Sequence, residues 1–249
     1  MRYLCSGGQV CPLICLLFTG IGTVKAQNAL GIQGAGGLTV SVDPKGSYSI
    51  TVPDPAWQFG GSVGYPLTNL ATVSGVDPAG HYSEIAFDFT PDAQRHGAIR
   101  AYWNRTAVLF TLTCSSPASN NYSFPNLRTY PKGLSHLGFS GVFANPTFTA
   151  MPEEGPWAFF DNAANTFVIS PATNFMVAST SMQADGTISS GIDTAVSSLP
   201  QGFTHQTLLV AGQGIDATFR VWGQTLTSLL GKGTVSNDAD LSLRSLGYW

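Results

Sequence analysis

Carboxylates are the residues of this chain whose chemistry is easiest to place, because a pair of them can cleave a glycosidic bond. The one adjacent pair among the 14 Asp and Glu residues is Glu153-Glu154, in a Pro-Glu-Glu-Gly sequence that is typical of a solvated turn. Asp88 and Asp161 lie beside aromatic residues, where burial would raise their pKa and make them acids. An outward-facing position on an alternating strand is the favoured interpretation of both, so we predict no catalytic residue.

Metal and cofactor chemistry has no matching pattern either. Asp238 and Asp240 resemble half of a calcium-binding loop, but the glycine and terminal glutamate of such a loop are missing. Cys114 follows an apolar strand pattern and is predicted to be a small buried hydrophobe rather than a nucleophile. We expect no metal and no cofactor. The histidines show no metal-ligand spacing; they are His81, His96, His136 and His205.

Aromatic side chains are the stronger candidates for a binding function. Sugar rings have apolar faces that stack on flat aromatic rings, and exposed aromatics on a polar β-domain would suit a carbohydrate site. The alternative, that each ring fills the core, is favoured for any single one of them. The candidate carbohydrate-stacking residues are Trp57, Trp103, Trp157 and Tyr130.

Composition narrows the possible partners. Only 10% of residues are charged and the net charge is −3, whereas hydrophobic residues make up 43% of the chain. Phosphate binding needs clustered Lys and Arg, so we do not expect nucleic acid as a partner. The apolar content is ample for a folded core, and the surface must consist largely of Ser, Thr, Asn and Gln.

The N-terminal segment has the pattern of a secretory signal peptide. Arg2 precedes a mostly apolar run from Pro12 to Val24, and compact residues flank Lys25 before a predicted cleavage site at Gln27. The run is too short for the roughly 20 residues of a spanning helix. We therefore expect residues 1–26 to be removed. The mature protein is expected to be secreted, either extracellular or periplasmic, and not to associate with a membrane after cleavage.

The elements that would position these side chains are mostly strands. Alternating apolar residues separated by turn sequences such as Asp43-Pro44-Lys45-Gly46 and Asp77-Pro78-Ala79-Gly80 predict successive β-hairpins. A hairpin is also predicted from Asn174 to Ile192. The fold class is therefore all-β: a large two-sheet antiparallel β-sandwich of the supersandwich kind over residues 27–215, followed by one C-terminal helix.

The last fifty residues, Gly202 to Trp249, differ from the rest. Asp216 is predicted to cap a helix, and apolar residues then recur at helical spacing until Gly231. Gly223 weakens the helix interior and would permit close approach of another backbone. The helix would either cover the sheet or connect two domains. Because the chain ends on Leu246-Gly247-Tyr248-Trp249, we predict that residues 216–249 are a connecting helix and the start of a missing domain.

Four short segments near the C-terminal end, together with the order of the predicted parts, carry a resemblance to a known family. The segments are Gly202-Phe203-Thr204-His205-Gln206-Thr207, Gly212-Gln213-Gly214-Ile215, Val221-Trp222-Gly223 and Leu246-Gly247-Tyr248-Trp249. The chain resembles the front of a secreted glycosidase of the α-galactosidase and raffinose-synthase type. In such enzymes a (β/α)8 barrel follows the sandwich and carries the catalytic carboxylates, so the resemblance implies a catalytic domain after this chain.

Three hypotheses follow for the function. The first is the non-catalytic β-sandwich of a secreted carbohydrate-active enzyme, with the catalytic domain absent from this chain. The second is a self-contained secreted or cell-envelope module that binds carbohydrate or mediates adhesion. The third is a complete small hydrolase, which would need two carboxylates converging in one cleft.

Overall fold

The computed structural model describes residues 28–138 and 155–233. Seventeen strands, one short 3-10 turn and one α-helix make up this part of the chain. In chain order they are β1 (Leu30–Gln33), a 3-10 turn (Ala35–Gly37), β2 (Thr39–Val42), β3 (Ser47–Val52), β4 (Trp57–Ser62), β5 (Thr68–Asp77), β6 (Gly80–Phe89), β7 (Arg95–Tyr102), β8 (Ala107–Cys114), β9 (Ala118–Ser119), β10 (Asn126–Thr129), β11 (Ser135–Leu137), β12 (Trp157–Phe160), β13 (Asn165–Pro171), β14 (Ala178–Met182), β15 (Ile188–Ile192), β16 (Ser198–Leu199), β17 (Thr204–Gln213) and α1 (Ile215–Leu229).

The strands form two large sheets. One has seven strands in the order β1-β2-β3-β4-β10-β15-β14, and the other has eight in the order β11-β12-β13-β17-β8-β7-β6-β5. The short strands β9 and β16 pair with each other at the side. Every strand pairing among the described residues is antiparallel. The predicted all-β, two-sheet class with a single helix near its C-terminal end is confirmed.

Local turn chemistry produces the hairpins where the sequence predicted them. Between β2 and β3, the carboxylate of Asp43 accepts hydrogen bonds from the backbone N–H groups of Lys45 and Ser47 at 2.8 and 3.1 Å. Gly46 adopts a φ of 93° there, a conformation that a side chain disfavours. The predicted hairpin from Asn174 to Ile192 is formed by β14 and β15.

The main core lies between the two sheets. Alternate residues of each strand point inward, and aromatic rings from the two sheets meet in the middle. Phe59 of the first sheet and Phe167 of the second pack edge to face with ring centroids 5.0 Å apart, and Tyr48 contacts Phe110 at 6.0 Å. Such burial of large apolar side chains is the main source of stability in a sandwich.

The helix α1 covers part of the other face of the eight-stranded sheet. Trp222 and Leu226 pack on a second apolar cluster that includes Leu109 and Leu208. The helix begins at Ile215 and its N-cap is Gly214, so the predicted capping role of Asp216 is wrong. Asp216 lies in the first turn, where its negative charge interacts favourably with the positive end of the helix dipole. Its carboxylate also pairs with Arg220 at 2.8 Å.

The end of the helix follows the predicted glycine signal. The backbone N–H of Gly231 donates to Ser228 and that of Lys232 donates to Thr227, with Gly231 at a φ of 63°, which is a Schellman motif. A Cβ on Gly223 would contact nothing within 4 Å among the described residues, so the predicted close approach of another backbone is wrong there. No helix within 28–138 and 155–233 has the length and apolarity needed to cross a bilayer.

Candidate functional site

Two of the sequence-predicted acidic groups lie outside the described residues: Glu153-Glu154 and the Asp238 and Asp240 segment. The predicted signal peptide, residues 1–26, and the chain end at 246–249 are also outside them. Within the described part of the chain, no three His, Cys, Asp or Glu side chains come together as metal ligands would. Cys114 is 1% exposed, which confirms its prediction as a buried residue, and burial raises the pKa of its thiol.

Asp88 is held in a polar pair on the outer side of β6. Its carboxylate lies 2.8 Å from Nδ1 of His96 and accepts a 2.7 Å hydrogen bond from the amide of Asn69. Burial acts to raise the pKa of Asp88, but the hydrogen bonds from Asn69 and His96 outweigh it and lower that pKa. The carboxyl is therefore ionised at neutral pH and does not suit an acid role.

Asp161 organises the turn between β12 and β13. Its carboxylate accepts hydrogen bonds from the side chain and backbone N–H of Asn165 and from the backbone of Ala163, at 2.8 to 2.9 Å. The Asn165 side-chain bond is the main cause that lowers the pKa of Asp161. The hypothesis of a raised pKa is thus wrong for both Asp88 and Asp161, as the favoured outward-facing interpretation implied.

A pair of carboxylates that sequence reasoning missed meets on the outer face of the eight-stranded sheet. The guanidinium of Arg100 donates to Asp77 at 2.6 Å and to Glu84 at 2.8 Å, and it lies 3.7 Å from the ring centroid of Tyr82. The hydroxyl of Tyr102 donates to Asp77 at 2.7 Å. Since one cation bridges two carboxylates and an aromatic ring covers it, this cluster holds strands together.

Three of the four predicted stacking residues pack around one pair of core rings, Phe159 and Phe167, and the fourth, Trp103, does not. Trp57 is half-buried, with its ring edge to face against Phe167 of the core. Trp103 is 52% exposed in the turn between β7 and β8, on the other sheet, and stacks on His81 at 5.6 Å. Trp157 is only 4% exposed, in strand β12.

Tyr130 is the fourth of them and lies just after β10. It is half-buried, and its hydroxyl donates a 2.7 Å hydrogen bond to the carbonyl of Gly186 in the β14–β15 turn. The ammonium of Lys132 lies 3.4 Å from the centroid of its ring, so this cation covers one face of the ring. Tyr130 and Trp57 both contact Phe167, and Trp157 contacts the adjacent Phe159. The fold therefore brings three of the four rings together in the core and leaves Trp103 apart from them.

Three adjoining depressions lie along the outer face of the seven-stranded sheet. The first, of about 280 Å³, is beside Trp57 and shares Gln58 with the second, of about 300 Å³. The second shares Ser62 and Arg128 with the third, of about 520 Å³. Neighbouring depressions share lining residues, and we name the three together the Arg128 groove.

Strand alternation explains why the wall of the Arg128 groove is polar. Gln58 on β4 and Arg128 on β10 are exposed, whereas their chain neighbours Phe59 and Leu127 are fully buried in the core. Successive side chains of a strand point to opposite faces. Gln58 and Arg128 therefore point outward from the seven-stranded sheet, and α1 packs on the other sheet.

The third depression, the largest of the three, is lined by two tyrosines and a carboxylate. Tyr65 is 37% exposed and its ring stacks on Phe89 at 6.4 Å, while the hydroxyl of Tyr122 donates to the carbonyl of Val63 at 2.8 Å. Asp185 also lines this depression. Its pKa is lowered chiefly by the backbone N–H and side chain of Thr187, with a smaller contribution from Arg128.

Comparison with known proteins gives a structural likeness. No family model matches the chain, and no curated protein matches its sequence. The fold is similar to that of a β-arabinopyranosidase, with a TM-score of 0.50 and 10% identity over 74% of this chain and 40% of that one. At this identity the similarity establishes a shared fold, which confirms the predicted structural resemblance to glycosidase chains.

Two further solved structures have the same kind of similarity. A glycoside hydrolase family 97 enzyme from Pseudoalteromonas sp. strain K8, in complex with acarbose, matches with a TM-score of 0.49 and 13% identity, over 74% of this chain and 36% of that one. An α-N-acetylgalactosaminidase from Bifidobacterium bifidum matches with a TM-score of 0.48 and 10% identity, over 81% and 39%. The chain thus spans less than half the length of each of these proteins.

Proposed function

We propose that this chain is the non-catalytic β-sandwich part of a secreted, glycosidase-like carbohydrate-active enzyme. The observation that carries the proposal is the shared fold with a β-arabinopyranosidase, of which the chain spans 40%. In this proposal the reaction takes place in a following catalytic domain, and the sandwich supports that domain through α1.

The side chains of the sandwich agree with a supporting role. Asp77 and Glu84 share the guanidinium of Arg100, which donates a hydrogen bond to each of them. Asp77 also accepts a hydrogen bond from the hydroxyl of Tyr102, so structural partners already occupy these carboxylates. Their arrangement therefore favours a structural function over acid–base catalysis.

The test is hydrolysis by the gene product with and without a continuation of the reading frame past the codon for Trp249. We expect the longer product to hydrolyse at least one p-nitrophenyl glycoside from a set of α-galactoside, α-glucoside, β-arabinopyranoside and α-N-acetylgalactosaminide. Residues 27–249 alone should hydrolyse none of them. Hydrolysis by residues 27–249, or a longer product that cleaves none of the set, would overturn the proposal.

Secretion is the second part of the proposal. It is supported by the signal-peptide pattern of residues 1–26. Expression of the whole reading frame in a bacterial host, followed by N-terminal sequencing of the protein in the periplasm or medium, should find Gln27 as the first residue. Retention of Met1 on a protein confined to the cytoplasm would contradict it.

The alternative function is a self-contained carbohydrate-binding or adhesion module, and the open Arg128 groove is the observation that favours it. This alternative predicts a stop codon directly after Trp249 and retention of carbohydrate binding by residues 27–249. The nucleotide sequence past that codon separates it from the enzyme proposal before any protein is made.

A further inference from the structure

The Arg128 groove is close to neutral in charge. Arg128 and Asp185 are the only charged residues among those that line its three depressions, and their charges are opposite. Binding of a polyanion relies on several Lys or Arg contacts, and a polycation would need several carboxylates. The charge of the groove therefore matches an uncharged ligand.

The polar groups of the groove can both donate and accept hydrogen bonds. Hydroxyls and side-chain amides do so, and the guanidinium of Arg128 adds five donors. A carbohydrate presents the complementary surface, because each sugar hydroxyl donates one hydrogen bond and accepts others. Six side chains supply these groups along the groove: Ser49, Gln58, Ser62, Asn121, Gln183 and Arg128.

An aromatic ring lies at one end of the groove, where Tyr65 lines the third depression and is 37% exposed. The ring of Tyr65 is inclined by only 23° to the ring of Phe89 that supports it. Its loop is also tied to the β2–β3 turn, since the N–H groups of Val63 and Leu67 donate to that turn at 2.8 Å. A ring already fixed in position loses little entropy when a ligand stacks on it.

The span of the groove indicates a chain of sugars. The lining side chains come from β3, β4 and β10 and extend to Ser189 of β15, which are four neighbours in the seven-stranded sheet. With strands about 4.8 Å apart, three spacings correspond to a distance of roughly 14 Å. This length exceeds that of a single sugar ring and suits an oligosaccharide segment.

We propose that the Arg128 groove binds a neutral polysaccharide, with Arg128 and Gln58 donating hydrogen bonds to sugar hydroxyls and Tyr65 stacking on a sugar face. This inference rests on the proposed function, because it takes carbohydrate as the ligand class. It assigns the binding to the sandwich itself, away from any catalytic domain.

The test is affinity electrophoresis of residues 27–249 in native gels that contain amylopectin, galactomannan or arabinogalactan. The protein is made in bacteria, because Asn121 belongs to an Asn-X-Ser sequon and lines the groove. We expect at least one polymer to retard the wild-type protein. R128A and Y65A should weaken that retardation about tenfold, and Y65F, which keeps the ring, should stay within about threefold of wild type.

The matched control is F175A, which removes an aromatic ring that is 40% exposed and lines none of the three depressions. It should bind as wild type does, and all variants should keep the wild-type melting temperature. If none of the three polymers retards the wild-type protein, the proposal is overturned. Loss of binding in F175A with normal binding in R128A and Y65A would also overturn it.

The two proposals fail separately. If a longer gene product hydrolyses glycosides but residues 27–249 bind no polymer, the enzyme proposal holds and the proposed binding by the Arg128 groove is wrong. Polymer binding that R128A abolishes, in a protein whose gene encodes no catalytic domain, would support the groove and leave the binding-module function.

Discussion

The indole Nε1–H of Trp222 donates a 2.7 Å hydrogen bond to the hydroxyl of Ser170. Trp222 lies on α1, and Ser170 is 2% exposed on β13, so this bond joins the helix to the eight-stranded sheet. W222F keeps most of the ring contact and removes the donor. We expect the free energy of unfolding in urea to fall by about 1 kcal/mol at pH 7.

A double-mutant cycle with S170A controls for the change in ring size. Once Ser170 no longer offers an acceptor, W222F should cost less than it does in the wild-type background. Equal losses of unfolding free energy in the two backgrounds would show that the hydrogen bond contributes nothing.

The group formed by Arg100, Asp77 and Glu84, which we name the Arg100 cluster, should stabilise the fold. The side chain of Arg100 is 16% exposed, and those of Asp77 and Glu84 are 14% and 13% exposed. R100M would leave two neighbouring carboxylates without their cation, and we expect a loss of about 3 kcal/mol in unfolding free energy. The measurement is urea denaturation at pH 7.

The control for this prediction is R220M on the helix surface. Arg220 pairs with Asp216, and the two side chains are 68% and 87% exposed, so this change should cost at most about 0.5 kcal/mol. Losses of similar size in R100M and R220M would contradict the role assigned to the Arg100 cluster.

His205 should make stability depend on pH. It is 2% exposed on β17, its Nδ1 has no hydrogen-bond partner among the described residues, and burial lowers its pKa from 6.5 to about 4. The unfolded chain binds a proton at His205 below about pH 6.5, whereas the folded chain binds that proton only near pH 4. The stability contribution is therefore present above pH 6.5 and is lost as pH falls, by about 3 kcal/mol at pH 4.

H205L removes this titrating group, so its unfolding free energy should fall less than that of wild type between pH 7 and pH 4. Urea denaturation at several pH values measures the difference. The control H81Q changes an exposed histidine and should keep the wild-type profile. Parallel plots of unfolding free energy against pH for wild type and H205L would show that His205 does not cause the pH dependence.

Two glycines should respond to alanine in opposite directions. A Cβ on Gly61 would lie 2.9 Å from Cζ of Tyr48 and would collide with the carbonyl of Asn126, whereas one on Gly223 would contact nothing within 4 Å in the described part of the chain. We expect G61A to lower the melting temperature, with a cost of about 1 to 3 kcal/mol. G223A should raise the melting temperature and increase the free energy of unfolding by about 0.5 to 1 kcal/mol. A neutral G61A would contradict the close approach of β4 and β10.

Hairpins were predictable because their causes are local. The turn between β2 and β3 depends on Asp43 and Gly46, which lie in the turn itself, and the flanking strands alternate apolar and polar residues. Strand β5 was missed because only Leu70 among its residues is buried, so its apolar residues do not alternate. An exposed edge strand gives little periodic signal.

Aromatic residue types did not reveal which rings face solvent. Trp157 lies in a strand whose next two residues, Ala158 and Phe159, are also buried. A strand covered on both faces shows no alternation, so the sequence could not separate Trp157 from the exposed Trp103. The bonds to Asp88 and Asp161 likewise depend on partner groups that a residue type does not specify.

The amino-acid sequence by itself determined the secondary structure class, most hairpins and the helix, because turn chemistry and side-chain periodicity act over a few residues. Tertiary structure alone decided that β10 lies between β4 and β15, and β17 between β13 and β8. It also brought Gln58 and Arg128 to one groove, although 70 positions separate their numbers. Such pairings arise from burial of both inner faces at once, which no local pattern contains.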